Sequence, residues 1–144
     1  MCQCAKKKKE APLKKGSKTH KDLEIWRKGV DLVTKIYEIT KNFPKEEIYG
    51  LTSQTRRAAI SYPSNITEGA ARNSLKEYIR FLYISQASLS ELETHLIISK
   101  NLNYTSDVSV FIGSIEMLRR KTHKLIKYFK EKKNNDTPTD QHTN

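Results

Sequence analysis

The chain has 144 residues, of which 36% are apolar and 30% charged, and its formal net charge is +11. This length suits one domain with a hydrophobic core and is short for two. Five glycines and four prolines supply too few turn signals for a sandwich or barrel of short strands. No apolar run approaches the roughly 20 residues that cross a bilayer, and no secretory signal is recognisable. We therefore expect a cytoplasmic protein.

The first segment, residues 1–21, is a lysine-rich leader with almost nothing to bury, and it is predicted to be disordered. Its eight lysines oppose only Glu10, so it carries most of the excess charge. Cys2 and Cys4 have no second pair to complete a zinc site, which favours reduced thiols. The leader is expected to act as an arm that binds any polyanion without sequence preference, through Lys6, Lys7, Lys8, Lys9, Lys14, Lys15, Lys18 and Lys21.

The first predicted helix has two adjacent apolar stripes with helical spacing. Asp22 is the predicted N-cap, and Pro44 stops the helix. One stripe consists of Trp26, Val30, Val33, Tyr37 and Thr40, and the other of Ile25, Leu32, Ile36, Ile39 and Phe43.

The second predicted helix has Glu46 and Glu47 in its first turn, where the helix dipole favours negative charge. Pro63 conflicts with its pattern, because proline removes an intrahelical hydrogen bond. Either the helix continues through Pro63 with a kink, which we favour, or it ends near Tyr62. The apolar stripe is Ile48, Leu51, Thr55, Ala58 and Tyr62.

The third and fourth predicted helices have the most regular stripes. Ser74 and Glu77 form a capping-box pattern before the third helix, which runs to about Leu102. The fourth starts after Thr105 or Ser106. Their stripes are Leu75, Tyr78, Leu82, Ser85, Leu89, Leu92, Leu96 and Ser99, then Phe111, Ile115, Leu118, Thr122, Leu125 and Phe129.

Short connections between long helices predict an all-α, antiparallel up-down-up-down four-helix bundle over residues 22–133, followed by a disordered tail at 134–144. Helices 1 and 3 carry more apolar positions than a monomeric bundle needs. This surplus predicts a homo-oligomer. Outside the main seam, helix 3 adds Ile79, Phe81, Ile84, Ile97 and Ile98.

Basic residues cluster on the fourth helix opposite its apolar stripe, and such a row can neutralise phosphates along a nucleic-acid backbone. An ordinary solvated helix face is the alternative. The predicted phosphate-binding residues are Arg119, Arg120, Lys121, Lys124 and Lys127, with Arg56, Arg57 and Arg72 as a second group. For the second group, ion pairs that fix helix 2 or a subunit contact are an equally good interpretation.

Catalytic and metal-binding patterns are not apparent in the sequence. Glu91 and Glu93 lie next to His95 without the Glu-x-x-His spacing of di-iron bundles. There is no nucleophile elbow and no glycine-rich phosphate loop. We expect no enzyme activity, no metal and no cofactor.

The second-helix region resembles the 23S rRNA intervening-sequence protein family. The resemblance covers roughly residues 22–130 and also includes Leu23, Trp26 and the third-helix stretch 81–94. The residues that carry it are Phe43-Pro44, Glu47, Tyr49-Gly50-Leu51-Thr52-Ser53-Gln54, Arg56-Arg57-Ala58-Ala59, Ser61-Tyr62-Pro63-Ser64-Asn65-Ile66-Thr67-Glu68-Gly69 and Arg72.

The resemblance implies a pentameric four-helix bundle and a relation to the accessory variability determinant of diversity-generating retroelements. That relative binds RNA, DNA and a reverse transcriptase. The leading hypothesis is therefore a homo-oligomer that binds nucleic acid. The alternatives are a protein-interaction adaptor, such as a reverse-transcriptase accessory subunit, and a structural protein of a selfish rRNA insertion.

Overall fold

The computed structural model describes residues 19–136. A short 3-10 turn, His20–Asp22, precedes helix α1, Glu24–Thr40. A second 3-10 turn, Lys45–Glu47, leads into α2, Leu51–Ala71. Helices α3, Leu75–Asn101, and α4, Ser109–Asn135, complete the fold, and residues 19–136 contain no strand. The predicted all-α four-helix architecture is confirmed, whereas the predictions for the leader and the tail fall largely outside the described residues.

The four helices form a closed ring in which each helix packs on its neighbours in sequence and α4 packs back on α1. Short links make successive helices antiparallel. The buried core runs along all four helices, and its largest fully buried side chains are Tyr62, Ile36, Ile66, Leu82, Leu89, Leu92, Leu96, Ile115, Leu118 and Ile126.

Helix α1 buries most of one predicted stripe and exposes part of the other. Ile25, Leu32 and Ile36 face the core, whereas Val30 and Tyr37 of the neighbouring stripe are exposed. The predicted N-cap was wrong by one residue, because Leu23 occupies that position and provides no side-chain cap.

Helix α2 begins later than predicted, at Leu51, so Ile48 lies outside it. Glu47 nevertheless caps the helix from the preceding turn, since its carboxylate accepts a hydrogen bond from the Leu51 amide at 2.8 Å. The Tyr104 hydroxyl donates to the same carboxylate at 3.1 Å. The two loops at this end of the bundle are therefore joined.

Helix α2 continues through Pro63, as the favoured interpretation predicted. Two neighbouring carbonyl groups receive additional side-chain hydrogen bonds. The Asn65 amide nitrogen donates to the Ser61 carbonyl at 2.8 Å, and the Ser85 hydroxyl of α3 donates to the Tyr62 carbonyl at 3.0 Å. These side-chain hydrogen bonds satisfy backbone carbonyls next to Pro63, where the missing proline amide interrupts the hydrogen-bond pattern of the helix.

The Tyr62 side chain crosses the bundle core. Its hydroxyl lies 2.8 Å from the Thr122 hydroxyl oxygen on α4. The Thr122 hydroxyl donates to the Leu118 carbonyl at 2.7 Å, so its single proton is used and Tyr62 acts as donor between the two hydroxyls. Burial raises the pKa of Tyr62 to about 12.

At the start of α3 the Ser74 half of the predicted capping box is confirmed, and the start of α4 corrects a predicted boundary. The Ser74 hydroxyl accepts from the Glu77 amide at 3.3 Å, while the Glu77 carboxylate pairs with Arg80. Helix α4 begins at Ser109, later than predicted. The Asp107 carboxylate accepts from the Ser109 amide at 2.8 Å, and this bond fixes the start of the helix.

Candidate nucleic-acid interface

Four of the eight predicted phosphate-binding residues form ion pairs within the fold. Arg57 of α2 pairs with Glu91 of α3 at 2.8 Å. On α4, Arg119 pairs with Glu93 of α3 at 2.6 Å, and Lys121 pairs with Glu24 of α1 at 2.7 Å. The fourth pair, Arg72 with Glu68, lies within one turn at the end of α2. These cations already have carboxylate partners.

The Lys121 ion pair also changes the acidity of its partner. Hydrogen bonds from Lys121 and Lys28 lower the pKa of Glu24 to about 2 from its ordinary value near 4.5. Glu24 therefore remains a carboxylate at any physiological pH, and it links α1 to α4.

Arg56 is held by neutral partners from α1. Its Nε donates to the Thr40 hydroxyl oxygen at 2.8 Å, and its guanidinium lies 4.5 Å from the centre of the Tyr37 ring. Arg72 follows the end of α2, about 24 Å along the helix axis from Arg56. The second predicted group is thus spread along α2 and does not form one cluster.

Arg120, Lys124 and Lys127 differ from the other five residues. They lie on the outward face of α4, and all three are exposed. Spacings of four and three residues place them on one side of the helix. Within residues 19–136 none of their side chains forms a hydrogen bond or an ion pair. We call these three residues the α4 ridge.

A groove of about 580 Å³ runs between α3 and α4 beside the α4 ridge. The Gln86 side chain donates to the Arg119 carbonyl at 3.3 Å, and the Arg119–Glu93 pair also joins the two helices. Among the described residues no carboxylate lines the groove, and its charged lining side chains are cationic. It is lined by Gln86, Ala87, Ser90, Arg119, Arg120, His123 and Lys124.

Three basic residues that line a second, smaller hollow between α3 and α4 were not among the predicted site residues: Lys76, Lys130 and Lys133. Lys130 also donates to the Tyr83 hydroxyl of α3 at 2.6 Å. The sequence offered a signal for Tyr83, because it is an aromatic residue outside the apolar seam of its helix. Its proximity to Lys130 depends on how α3 packs on α4.

Neither a metal cluster nor a membrane helix is found in the described part of the chain. Residues 19–136 contain no group of three or more potential metal ligands from His, Cys, Asp and Glu. His95 has a single carboxylate neighbour, with its Nε2 4.0 Å from Glu91. No helix in the same range combines the length and apolar character needed to cross a bilayer.

The fold and the surface together define a small all-α protein, an antiparallel four-helix bundle whose fourth helix carries a ridge of cations that have no partner among residues 19–136. The chain belongs to the 23S rRNA-intervening sequence protein family, whose family model matches residues 21–126. This match confirms the resemblance carried by the second-helix region. A comparison with curated proteins finds no match.

Proposed function

We propose that this protein is a non-catalytic, cytoplasmic homo-oligomer that binds RNA or DNA electrostatically through the α4 ridge. The observation that carries the proposal is the contrast among the predicted cations. Five of them have partners inside the bundle, whereas Arg120, Lys124 and Lys127 have none within residues 19–136. Cations that have no partner in the described part of the chain are available to phosphates, and the lining of the neighbouring groove contributes no carboxylate from that part to compete for them.

Counterion release gives this proposal a quantitative form. Each neutralised phosphate contributes a slope of about −0.7 for a single strand and about −0.9 for a duplex to the dependence of log K on log salt. Three contacts per subunit therefore give a slope of about −2 to −3. An oligomer repeats the ridge and raises avidity without new kinds of contact.

Exposed apolar side chains support self-association. A groove of about 480 Å³ on the outer side of α2 is bordered by Tyr37, Ile48 and Ile60, and all three residues are exposed. A cyclic oligomer larger than a dimer needs a second, different surface on each subunit. Ile97 and Ile98 of α3 are also exposed and supply a candidate for it. The number five comes from the family resemblance alone.

Nucleic-acid binding is tested by reversing the charge of the α4 ridge. Fluorescence anisotropy would measure the affinity of the full chain for labelled RNA between about 50 and 200 mM salt. The triple variant Arg120→Glu, Lys124→Glu, Lys127→Glu should abolish binding. A matched control reverses three exposed cations elsewhere, and it should retain most of the affinity: Arg27→Glu, Lys35→Glu and Lys45→Glu.

A variant that lacks residues 1–18 separates the ridge from the leader. If the ridge variant binds normally and removal of the leader abolishes binding, the proposed role of the ridge is wrong. If the ridge is the main site, removal of the leader weakens binding and leaves a salt-dependent interaction.

Self-association is tested by sedimentation velocity at micromolar concentration. Ile60→Glu places a charge on a side chain that is 40% exposed on the outer face of α2, and it should shift the protein to smaller species. Val110→Glu is the control, because Val110 is 68% exposed near the start of α4. A folded wild-type monomer would refute the oligomer.

A second candidate function is that of a protein-interaction adaptor, such as the accessory subunit of a reverse transcriptase. The same exposed apolar residues of α2 and α3 favour it. An adaptor would bind its partner stoichiometrically, and moderate salt would have little effect. Ile60→Glu should then abolish capture of the partner while RNA affinity remains unchanged.

A further inference from the structure

Tyr83 is an exposed aromatic side chain on the α3–α4 face, and 43% of its surface is accessible. The Lys130 ammonium lies 2.6 Å from its hydroxyl oxygen and 5.0 Å from the ring centre. These two distances place the ammonium beside the hydroxyl end of the ring rather than above its centre. Lys130 therefore holds the hydroxyl end of the ring, and part of the side chain remains accessible.

Tyr83 lies between two basic hollows along the α3–α4 face. On α3 it follows Ile79 of the smaller hollow and precedes Gln86 of the groove. On α4 its partner Lys130 lines the smaller hollow together with Lys133, and Lys124 of the groove precedes it along the helix. The Tyr83 ring thus lies within a line of cations, the basic side chains that line the groove and the smaller hollow.

This line of cations is long enough for several nucleotides. The stretch of α4 from Arg120 to Lys133 covers about 20 Å at 1.5 Å per residue. At the spacing of a fully stacked strand, about 3.4 Å per phosphate, this length corresponds to at most about six nucleotides, and an extended strand with an unstacked base would place fewer along it. Glu131 is the only carboxylate in this stretch, so the electrostatic potential along it favours phosphate.

We propose that the α3–α4 face binds single-stranded nucleic acid, with one unpaired base stacked on the Tyr83 ring and phosphates on the cations at either side. This inference rests on the proposed nucleic-acid function and specifies its substrate class. A positively charged groove combined with an aromatic platform is the usual arrangement for sequence-tolerant binding of single strands. A duplex offers the ring no free base face, because its bases are stacked on one another.

The test compares a 12-nucleotide single-stranded RNA with a duplex of the same sequence, using the full chain and fluorescence anisotropy. Tyr83→Leu removes the ring and should weaken single-strand binding by about 5-fold to 100-fold. Its affinity for the duplex should not change. Tyr83→Phe keeps the ring and should retain single-strand binding. Tyr49→Leu, at a site that is 93% exposed at the opposite end of the bundle, is the matched control.

A second measurement reports stacking directly. In Tyr83→Trp the new indole should be quenched when single-stranded RNA binds, beyond any change that Trp26 shows in the wild type. Circular dichroism spectra identical to that of the wild type would show that each variant is folded.

The outcomes separate this inference from the function on which it rests. If the α4 ridge variant loses binding while Tyr83→Leu binds both RNAs normally, the ridge proposal stands and the stacking inference is refuted. Equal losses on single strand and duplex for Tyr83→Leu also refute stacking. If the wild type binds neither RNA, both proposals fail.

Discussion

Gly29 of α1 provides the sharpest test of the packing. A Cβ at this position would lie 2.7 Å from both Cδ1 and Cε1 of the Tyr62 ring. Carbon atoms in contact prefer about 3.5–4.0 Å, so the ring would have to move by about 1 Å. Tyr62 is 1% exposed and its hydroxyl is bonded to Thr122, which leaves the ring little room to move.

Two opposing effects determine how Gly29→Ala changes the free energy of unfolding. Replacing glycine by alanine inside a helix contributes about 0.8–1.0 kcal/mol of stability. Overpacking of a filled core costs about 1–3 kcal/mol. We expect a net loss of about 1 kcal/mol, measured by urea denaturation at one fixed protein concentration because oligomerisation affects apparent stability.

Gly113 of α4 supplies the control for the same substitution. It is exposed within the helix, and a Cβ there would meet nothing within 4 Å. Gly113→Ala should therefore stabilise the protein by about 0.8–1.0 kcal/mol. If Gly29→Ala stabilises the protein as much, the steric argument is wrong. The double variant Gly29→Ala, Tyr62→Val lacks the contacting ring. Comparing its free energy of unfolding with those of the two single variants should give a coupling energy of about 1 kcal/mol or more.

Three further changes test caps, core polar bonds and surface ion pairs. Glu47→Ala removes the side-chain cap of α2 and should cost about 1 kcal/mol in urea denaturation. Tyr62→Phe removes the hydrogen bond to Thr122 and should cost about 1 kcal/mol in the same assay. Lys121→Met should raise the pKa of Glu24 from about 2 toward its ordinary 4.5, as followed by NMR titration of its carboxyl group. Because the folded pKa is lowered, the ion pair's contribution to stability is present above about pH 4.5 and is lost as the pH falls toward 2.

Each of these predictions has a matched comparison. Glu46→Ala removes the neighbouring, exposed carboxylate and should leave stability nearly unchanged, so an equal loss would contradict the capping role of Glu47. Tyr128→Phe, on an exposed ring, is the comparison for the core tyrosine. Lys35→Met should not move the Glu24 titration, and an unchanged pKa in Lys121→Met would contradict the α1–α4 pair.

The architecture was predictable because each helix carries its apolar residues at helical spacing, and short links leave few ways to connect them. Periodicity alone could not decide which stripe of α1 is buried. Ile25, Leu32 and Ile36 face the core, while Val30 and Tyr37 do not, and that choice depends on the neighbouring helices.

The helix boundaries were less predictable for a different reason. Ile48 continues the apolar stripe of α2 in the sequence, but the helix begins only at Leu51, whose amide donates to the Glu47 carboxylate. The start of α4 is likewise set by a side chain, that of Asp107. Side-chain hydrogen bonds of this kind shift the start of a helix by a few residues. The apolar pattern of the sequence marks them only weakly.

The candidate site was only partly visible in the sequence. The spacing of Arg120, Lys124 and Lys127 placed them on one face. Whether a cation is paired depends on contacts far apart in the chain, such as the pair between Arg119 and Glu93. The role inferred for Tyr83 required the packing of two helices.

The Trp26 indole fixes where the lysine-rich N-terminal segment joins the bundle. Its Nε1 donates to the Thr67 hydroxyl oxygen at 3.0 Å, and the His20 ring packs edge-on against it with ring centres 5.3 Å apart. In an up-down-up-down bundle this end also carries the last turns of α4. The first turn of α1 therefore lies at the end of the bundle that carries Lys130, and the Trp26 contact attaches the 3-10 turn His20–Asp22 at that same end.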